Sequence, residues 1–232
     1  MRKALTAIVI LISGLFVPLA VARESDELEN ELKKMSEAQA VLEASVKAPD
    51  KGIPKELLER AECIGVFPGV KKGAFIVGGE FGRGVFTCRK SGAMGAPAFF
   101  SIGGPSVGWQ IGAEEADLVL LIMNEAGMKH LLKDHFTLGA EVSASAGPVG
   151  RNAQAATDAQ LTAQILSWSR SRGLFLGASL EGTVVKQNKK ANEDLYGKEV
   201  TAKQILVDQS LPVPSAAKSY VQSVARHAQR PS

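Results

Sequence analysis

The sequence predicts an α+β protein in which a glycine-rich, strongly curved antiparallel β-sheet, barrel-like or sandwich-like, is flanked by N- and C-terminal helices. Between residues 65 and 112, 13 of 48 residues are glycine, interleaved with the Val, Ile and Phe of strands rather than with Ser or Pro. Glycines inside strands mark bulges, bends or close backbone approach, which favours a curved sheet. Apolar residues at helical spacing precede and follow this region.

Residues 1–22 have the pattern of a secretory signal peptide. Arg2 and Lys3 precede an uncharged run, and Ala20-Val21-Ala22 offers the small residues that signal peptidase accepts. An uncleaved membrane anchor is the alternative, because the uncharged run is just long enough to span a bilayer. The polar residues that follow favour cleavage after Ala22. We therefore expect an exported protein of the periplasm or cell envelope.

The mature chain, residues 23–232, is predicted to be a single domain whose first part, 23–61, is helical. An apolar stripe on the 24–47 helix comprises Leu28, Leu32, Met35, Leu42 and Val46. Residues 23–47 hold seven acidic and four basic side chains, whereas helices that lie on membranes carry an excess of Lys and Arg. The stripe is therefore predicted to pack on the domain core or on a partner helix. A second, short helix is expected at 55–61, after Pro54.

The β core is predicted to span residues 62–187 and the C-terminal helices 188–232. Strands are expected at 63–67, 73–81, 84–90, 97–103, 106–112, 116–123, 136–146, 161–170 and 173–186, with tight turns at 82–84 and 103–105. A short helix is expected at 125–133. Three helices follow at 188–196, 201–207 and 214–229, the last with Ala217, Tyr220, Val221 and Val224 as its apolar face.

Cys63 and Cys88 fall in two of these strand-like segments, in a compartment that would permit disulfides. If a third strand lies between them, they are about 9.6 Å apart, which is too far to bridge. If the two strands pair directly, a disulfide is possible. A bridge and two buried free thiols both remain open.

Charge argues against nucleic acid as a partner. The chain has 27 Lys and Arg against 24 Asp and Glu, and removal of Arg2 and Lys3 with the signal leaves 25 against 24, about +1. General electrostatic attraction to nucleic acid or membrane is therefore not expected, and anion binding requires local clustering.

Sequence motifs do not favour an enzyme. Residues 104–108 match G-x-S-x-G around Ser106, but the segment that follows is strand-like, whereas a nucleophile elbow leads into a helix. His130 and His135 are poorly spaced as metal ligands on one helix face, and neither has an obvious orienting acid. The cysteines lack the spacing of a zinc site, and no phosphate-binding loop occurs. We therefore predict no catalysis, no cofactor and no metal.

Cations in constrained turns are the candidate ligand-binding residues. Arg151 and Asn152 end a Gly-Pro-Val-Gly turn, and Arg170 and Arg172 alternate with serines before Gly173, while Lys71-Lys72 stand at a strand end. Such groups can converge on a phosphate, with backbone N–H groups completing the site. Ordinary solvated turns are the alternative interpretation.

Several segments in order, over about residues 30–200, resemble the SYLF domain family. They are Ala61–Pro68, Gly78–Val85, Pro97–Phe99, Gly103–Gly112, Asp117–Leu120, Phe136–Ala140, Ala146–Ala153, Ser169–Phe175 and Ser179–Gly182. The resemblance implies a non-catalytic domain that binds anionic phospholipids, phosphoinositides in eukaryotic members, and that in some relatives bundles actin. This chain departs from that pattern in its acidic N-terminal helix and its predicted export, which separates it from actin.

The sequence therefore predicts non-catalytic binding of anionic phospholipid head groups, or of a membrane surface, in the cell envelope. The alternative is a structural or assembly protein of the envelope that meets a protein partner, or itself, through the 24–47 helix.

Overall fold

The computed structural model describes residues 18–47, 52–75, 77–105, 114–150, 162–171, 173–208 and 210–230, with the backbone alone at 18–25, 72–80, 105 and 114. Within these ranges no helix combines the length and the apolar character needed to cross a bilayer. The Arg151, Asn152 and Arg172 of the predicted site lie outside the described residues.

The helices are α1 (Pro18–Val46), α2 (Lys55–Arg60), α3 (Glu125–Leu131), α4 (Lys189–Tyr196) and α5 (Lys218–His227). The strands are β1 (Cys63–Phe75), β2 (Val77–Lys90), β3 (Ala93–Pro105), β4 (Glu114–Ile122), β5 (His135–Thr137), β6 (Ala144–Ala146), β7 (Ile165–Ser171), β8 (Leu174–Gly177) and β9 (Val184–Gln187). A π-helical turn, Gln204–Asp208, and a 3-10 turn, Ser215–Ala217, complete the order.

The nine described strands form one strongly curved sheet in the order β5-β9-β3-β2-β1-β4-β7-β6, with β8 paired to β7. All pairings between the described strands are antiparallel except that of β6 with β7, which is parallel. Helices stand at both ends of the chain, so the predicted fold class is confirmed. The parallel β6 is the one departure from an antiparallel sheet within the described strands.

Alternate residues of the central strands point to two separate cores. One face, here the helix-covered face, carries side chains such as Ile64 and Val119 and packs against α1, α2, α4 and α5. The other, here the phenylalanine-rich face, carries Phe67, Phe86 and Phe100 and packs against α3 and the π-helical turn. Because both faces are covered, the central strands are apolar in consecutive positions instead of alternating with polar residues.

Glycines on the phenylalanine-rich face make room for its aromatic rings. A Cβ on Gly65 would stand 2.3 Å from the Phe86 ring, and one on Gly84 would stand 2.5 Å from the Phe67 ring. Those rings meet edge to face with centroids 5.7 Å apart, and Phe86 meets Phe100 at 5.0 Å. A face that lacks side chains at these points can bend inward, which fits the curvature predicted from the glycines.

The apolar stripe of α1 packs on the domain's own core, as the sequence predicts. Met35 and Leu42 are buried, and Leu28, Leu32 and Val46 are partly buried against the same cluster. The stripe from residue 28 onward is therefore covered by the sheet and α5 instead of being free for a partner.

The predicted turn at 82–84 is wrong. These residues lie inside β2, and the β1–β2 hairpin reverses between Phe75 and Val77. Gly82 and Gly84 have no positive φ, and they accommodate the side chains of Val70 and Phe67 instead of reversing the chain. Residues 103–105 likewise belong to β3 rather than to a turn, and the strand predicted at 106–112 lies outside the described residues.

Other predicted elements are shorter than expected because positive-φ glycines interrupt them. The strand predicted at 136–146 is two short strands, separated by a turn at Gly139 with φ 80°. The strand predicted at 173–186 divides into β8 and β9, and Gly182, with φ 80°, lies between them. In the left-handed region a side chain is strained, which favours glycine at these turns.

The C-terminal helices agree well with the sequence. The Asn188 side chain accepts from the Ala191 amide at the start of α4, and Gly197 ends the helix at φ 66°. The predicted 201–207 helix is the short π-helical turn. Within 214–229 the predicted apolar face is buried, including Tyr220 and Val224.

β1 and β2 pair directly, with Cys63 opposite Cys88 in the register. The two residues form a disulfide with a Cα–Cα distance of 4.0 Å, and both are fully buried on the phenylalanine-rich face. Of the two arrangements considered from the sequence, the structure has the one without an intervening strand.

We expect Cys63→Ala/Cys88→Ala to lower the free energy of unfolding by about 3 kcal/mol, because the bridge closes a loop across 25 residues of separation. Urea denaturation followed by circular dichroism measures the change. Wild-type protein under reducing conditions is the control and should match the double variant. Equal stability of oxidised and reduced wild type would contradict the expectation.

Candidate functional site

Several connections of the sheet come together at one of its ends. β1, β3 and β7 run toward this end, while β2, β4 and β8 run away from it, as their antiparallel registers require. The β1–β2 turn, the β7–β8 turn, the last residues of β3 and the first of β4 therefore lie together. We call this region the turn end of the sheet.

The large exposed hydrophobic side chains of the described chain all belong to the turn end. Phe81 of β2 is 70% exposed, and Leu174 and Leu176 of β8 are 49% and 62% exposed. Phe81 is on the helix-covered face, since Arg83 and Val85 of the same strand contact α1 and its core. Leu174 and Leu176 alternate with Phe175, which belongs to that core, so they point to the opposite face.

The predicted lysines also lie at the turn end. Lys71 of β1 is opposite Phe81 in the register and is exposed. It makes no ion pair within the described part of the chain. The backbone of Lys72 pairs with Glu80 on one side and Glu114 on the other.

Arg170 lies at the turn end too, but a carboxylate of the same sheet holds it. Its Nε and Nη2 atoms donate to Oδ2 of Asp117 at 2.6 and 2.5 Å, and its guanidinium lies 5.5 Å from the centre of the Phe175 ring. The other Asp117 oxygen accepts from the Gly69 amide at 2.9 Å. Gly69 lies at the irregularity of β1 between Phe67 and Val70. Arg170 and Asp117 thus tie β7, β4 and this bulge together.

Arg83 and Glu31 form a second ion pair, which joins β2 to α1 two residues from Phe81. The Arg83 Nη1 to Glu31 Oε1 distance is 2.5 Å, and the glutamate side chain is only 5% exposed. Its second oxygen, Oε2, has no hydrogen-bond partner in the described structure. Burial raises the pKa of Glu31, an effect that Arg83 opposes and that the Asp194 charge reinforces.

Among the described residues of the turn end, the cations have carboxylates as neighbours. The β1–β4 register sets Glu115 beside Lys71 and Glu114 beside Lys72, and Asp117 pairs with Arg170. Such neighbours weaken the attraction of this surface for anions. The exposed apolar side chains therefore distinguish the turn end more clearly than its charged side chains do.

Of the residues considered for catalysis, the two histidines are described, and they lie on different faces of the sheet. His130 belongs to α3, with its ring 6.4 Å from that of Phe136 on the phenylalanine-rich face. His135 is exposed on β5 and, by strand alternation with Phe136, points to the helix-covered face. Ser106 lies outside the described residues. Within the described ranges no three His, Cys, Asp or Glu side chains are grouped as metal ligands.

Sequence reasoning missed the apolar part of the site. The sequence places Phe81, Leu174 and Leu176 in apolar strand-like segments. Nothing in those segments distinguishes these three residues from residues of the core. Alternation in Leu174-Phe175-Leu176 indicated that the leucines and the phenylalanine face opposite ways. It did not indicate which face would be left uncovered.

Comparison with known proteins identifies relatives. The family model Ysc84, described as Las17-binding protein actin regulator, matches residues 103–227 and represents the SYLF family. LAS seventeen-binding protein 3 of Saccharomyces cerevisiae is 35% identical over 194 residues, 81% of this chain and 42% of the yeast protein. SH3 domain-containing YSC84-like protein 1 of Xenopus laevis is 32% identical over 180 residues, 76% of this chain and 53% of the frog protein. This chain thus spans about half the length of these curated relatives, which are named as binding or SH3 domain-containing proteins and not as enzymes.

We expect the stability that Glu31 contributes to fall as pH rises. Its native pKa lies above the ordinary 4.5, so the native state holds the proton more tightly than the unfolded chain does. The favourable contribution is present below pH 4.5 and is lost as pH rises through the native pKa. Urea unfolding of wild type and Glu31→Gln between pH 4 and 7 should show wild type losing stability relative to the variant. The exposed Glu29→Gln is the control, and a difference that stays constant with pH would contradict the assignment.

Proposed function

This chain belongs to the Ysc84 family, which contains the SYLF domain, and from that premise we propose that it binds anionic phospholipid membranes without catalysis. The turn end of the sheet is the proposed contact surface. The observation that carries the proposal is the exposure of Phe81, Leu174 and Leu176 at one end of the molecule.

The arrangement of these side chains suits entry into a membrane interface. Phe81 projects from one face of the sheet and the two leucines from the other, so the end has apolar groups on both sides. Each Phe or Leu side chain transferred from water contributes about 1.5–3 kcal/mol, so a few suffice for reversible binding.

The cations of the turn end supply the preference for anionic lipid in this proposal. Lys71 is exposed and unpaired in the described structure, and a lysine near an anionic surface contributes about 1 kcal/mol. Arg170 is engaged with Asp117 and stabilises the bulge from which Lys71 follows. Arg151, Asn152, Arg172 and Lys72 remain candidates on their sequence pattern.

A protein partner is the second candidate function. The yeast relative's name refers to Las17 binding, and the family description refers to Las17 binding and actin regulation. The α1 stripe is largely buried in this domain, so its predicted role in assembly would require the domain to open. The exposed groups of the turn end are the better surface for such a partner.

We also propose that the protein acts in the periplasm or cell envelope after export. The signal-like pattern of residues 1–22 supports this location. The buried Cys63–Cys88 disulfide supports it as well, since disulfides persist in oxidising compartments and are rare in the cytosol.

We expect Phe81→Ser/Leu176→Ser to reduce binding to phosphatidylglycerol-containing vesicles at least tenfold, because two apolar side chains no longer leave water. Lys71→Ala should weaken binding to these vesicles about fivefold at low salt and leave binding to pure phosphatidylcholine vesicles unchanged. Co-sedimentation measures both effects. Lys218→Ala, which removes an exposed lysine at the start of α5, is the matched control.

Partitioning of the wild type that is equal for neutral and anionic vesicles and insensitive to salt would contradict the electrostatic part of the proposal. Absence of vesicle binding would contradict the membrane function as a whole. Thermal unfolding of each variant separates loss of binding from loss of fold.

If the protein is exported and cleaved after Ala22 as proposed, we expect a mature chain that begins at Arg23. Expression of the full chain in a Gram-negative host, followed by fractionation and intact mass measurement, should give this form in the periplasmic fraction. A chain retaining residues 1–22 in the membrane fraction would favour the anchor instead. A reduced protein in the cytosol would contradict export.

A further inference from the structure

A row of polar side chains crosses four neighbouring strands on the helix-covered face. The registers set Arg83 of β2 beside Ser101 of β3, Ser101 beside Lys186 of β9, and Lys186 beside His135 of β5. Residues directly opposite one another in adjacent strands project from the same face of a sheet. Ser101, Lys186 and His135 therefore project together, about 4.8 Å apart from strand to strand.

An open cleft of about 750 Å³ lies over this row. Its lining includes Ser101, His135 and Lys186 together with Asp134, Asn188 and Lys189. Gln187, the last residue of β9, also lines the cleft, and its side chain donates to the carbonyls of Leu132 and Lys133 at 3.1 and 2.8 Å. These bonds tie the end of β9 to the segment that precedes β5.

The charges of the cleft do not cancel. Lys189 pairs with Asp134 at 2.9 Å, and its hydrogen bond, with the nearby positive groups, lowers the pKa of the Asp134 carboxyl. That pair is internally neutral. Lys186 is exposed and has no ion pair in the described structure, and His135 is exposed beside it. Asp134 is also near Lys186 and His135, but two lysines against one carboxylate leave the described lining of the cleft with one net positive charge, beside an imidazole and a hydroxyl.

We infer that this cleft binds a phosphate group, with Lys186, His135 and Ser101 as its donors. The ammonium, the imidazole N–H and the hydroxyl approach from three neighbouring strands, and the several oxygens of a phosphate can accept from all three. A carboxylate offers only two oxygens in one plane and matches three donors less well. Asn188 and Lys189 form the rim of the cleft, where α4 begins.

The phosphate can belong to a lipid head group or to a soluble phosphate ester. Phe81 projects from the same face, two strands from Lys186, a lateral separation of about 9.6 Å. A lipid whose acyl chains lie near Phe81 could thus place its phosphate in the cleft, and that version rests on the membrane contact proposed above. Binding of a soluble phosphate does not depend on it.

The test is isothermal titration calorimetry of the whole mature protein with three probes. These are inorganic phosphate, dihexanoyl phosphatidylglycerol below its micelle concentration, and acetate. The proteins are wild type, Lys186→Ala and the control Lys218→Ala, with thermal unfolding to show that each is folded. For each phosphate-containing probe, we expect the control to bind as tightly as wild type and Lys186→Ala to bind about tenfold more weakly. Acetate should bind to wild type more weakly than either of these probes.

Comparison of the probes shows whether the cleft recognises a soluble phosphate or the phosphate of a lipid head group. Binding of both phosphate and lipid indicates recognition of the phosphate group itself, whereas binding of the lipid alone indicates a head-group site. The inference is overturned if neither probe binds, if acetate binds as well as they do, or if Lys186→Ala binds like wild type. Vesicle binding by the same variants tests the link between the cleft and the membrane. If Lys186→Ala still binds vesicles and Phe81→Ser/Leu176→Ser does not, the membrane function holds and the cleft is not a head-group site. If Phe81→Ser/Leu176→Ser still binds vesicles and Lys186→Ala does not, the turn end is not the contact surface.

Discussion

The fit between glycines and phenylalanines on β1 and β2 is the constraint on which the rest of this structure depends. Gly65 leaves the space that the Phe86 ring fills, and Gly84 leaves the space for Phe67. A larger residue at either glycine would stand within 2.5 Å of an aromatic ring, closer than atoms pack. The fit sets the β1–β2 register, which in turn brings Cys63 opposite Cys88. The disulfide then links covalently two strands that packing has already aligned.

The two cores cover only part of the length of the sheet. On the phenylalanine-rich face the packed side chains reach Val70, Ile102 and Leu118, and on the helix-covered face they reach Val85 and Phe175. β1, β2 and β3 continue beyond these points toward the turn end. Phe81 is exposed because the cores do not extend along β2 as far as its position, whereas Leu174 and Leu176 are exposed on β8, which pairs only with β7. Such exposure is what a binding surface requires.

Electrostatics divides the cations of the sheet into two groups. Arg170 and Arg83 are bound to carboxylates of Asp117 and Glu31, so they hold strands and α1 in place. Lys71 and Lys186 have no such pair in the described structure and stay available to an anion. From the sequence alone, an arginine in a glycine-flanked turn is a candidate for ligand binding. The planar set of N–H donors on its guanidinium group binds a carboxylate of the protein itself equally well. Only the fold shows which of these roles Arg170 takes.

Local signals determined much of the architecture. Asn188 and Gly197 bound α4 because capping and the left-handed region depend on the residue itself, and the spacing of Met35 and Leu42 placed the buried side of α1. Glycine density indicated the curved sheet, and the run of matching motifs indicated the family. What only the tertiary structure decided depends on residues far apart in the chain. Four features follow from register: the strand partners of Cys63, the position of the β1–β2 turn several residues before Gly82, the pairing of Arg170 with Asp117, and the uncovered turn end. Register is set by packing between strands that are far apart in the chain.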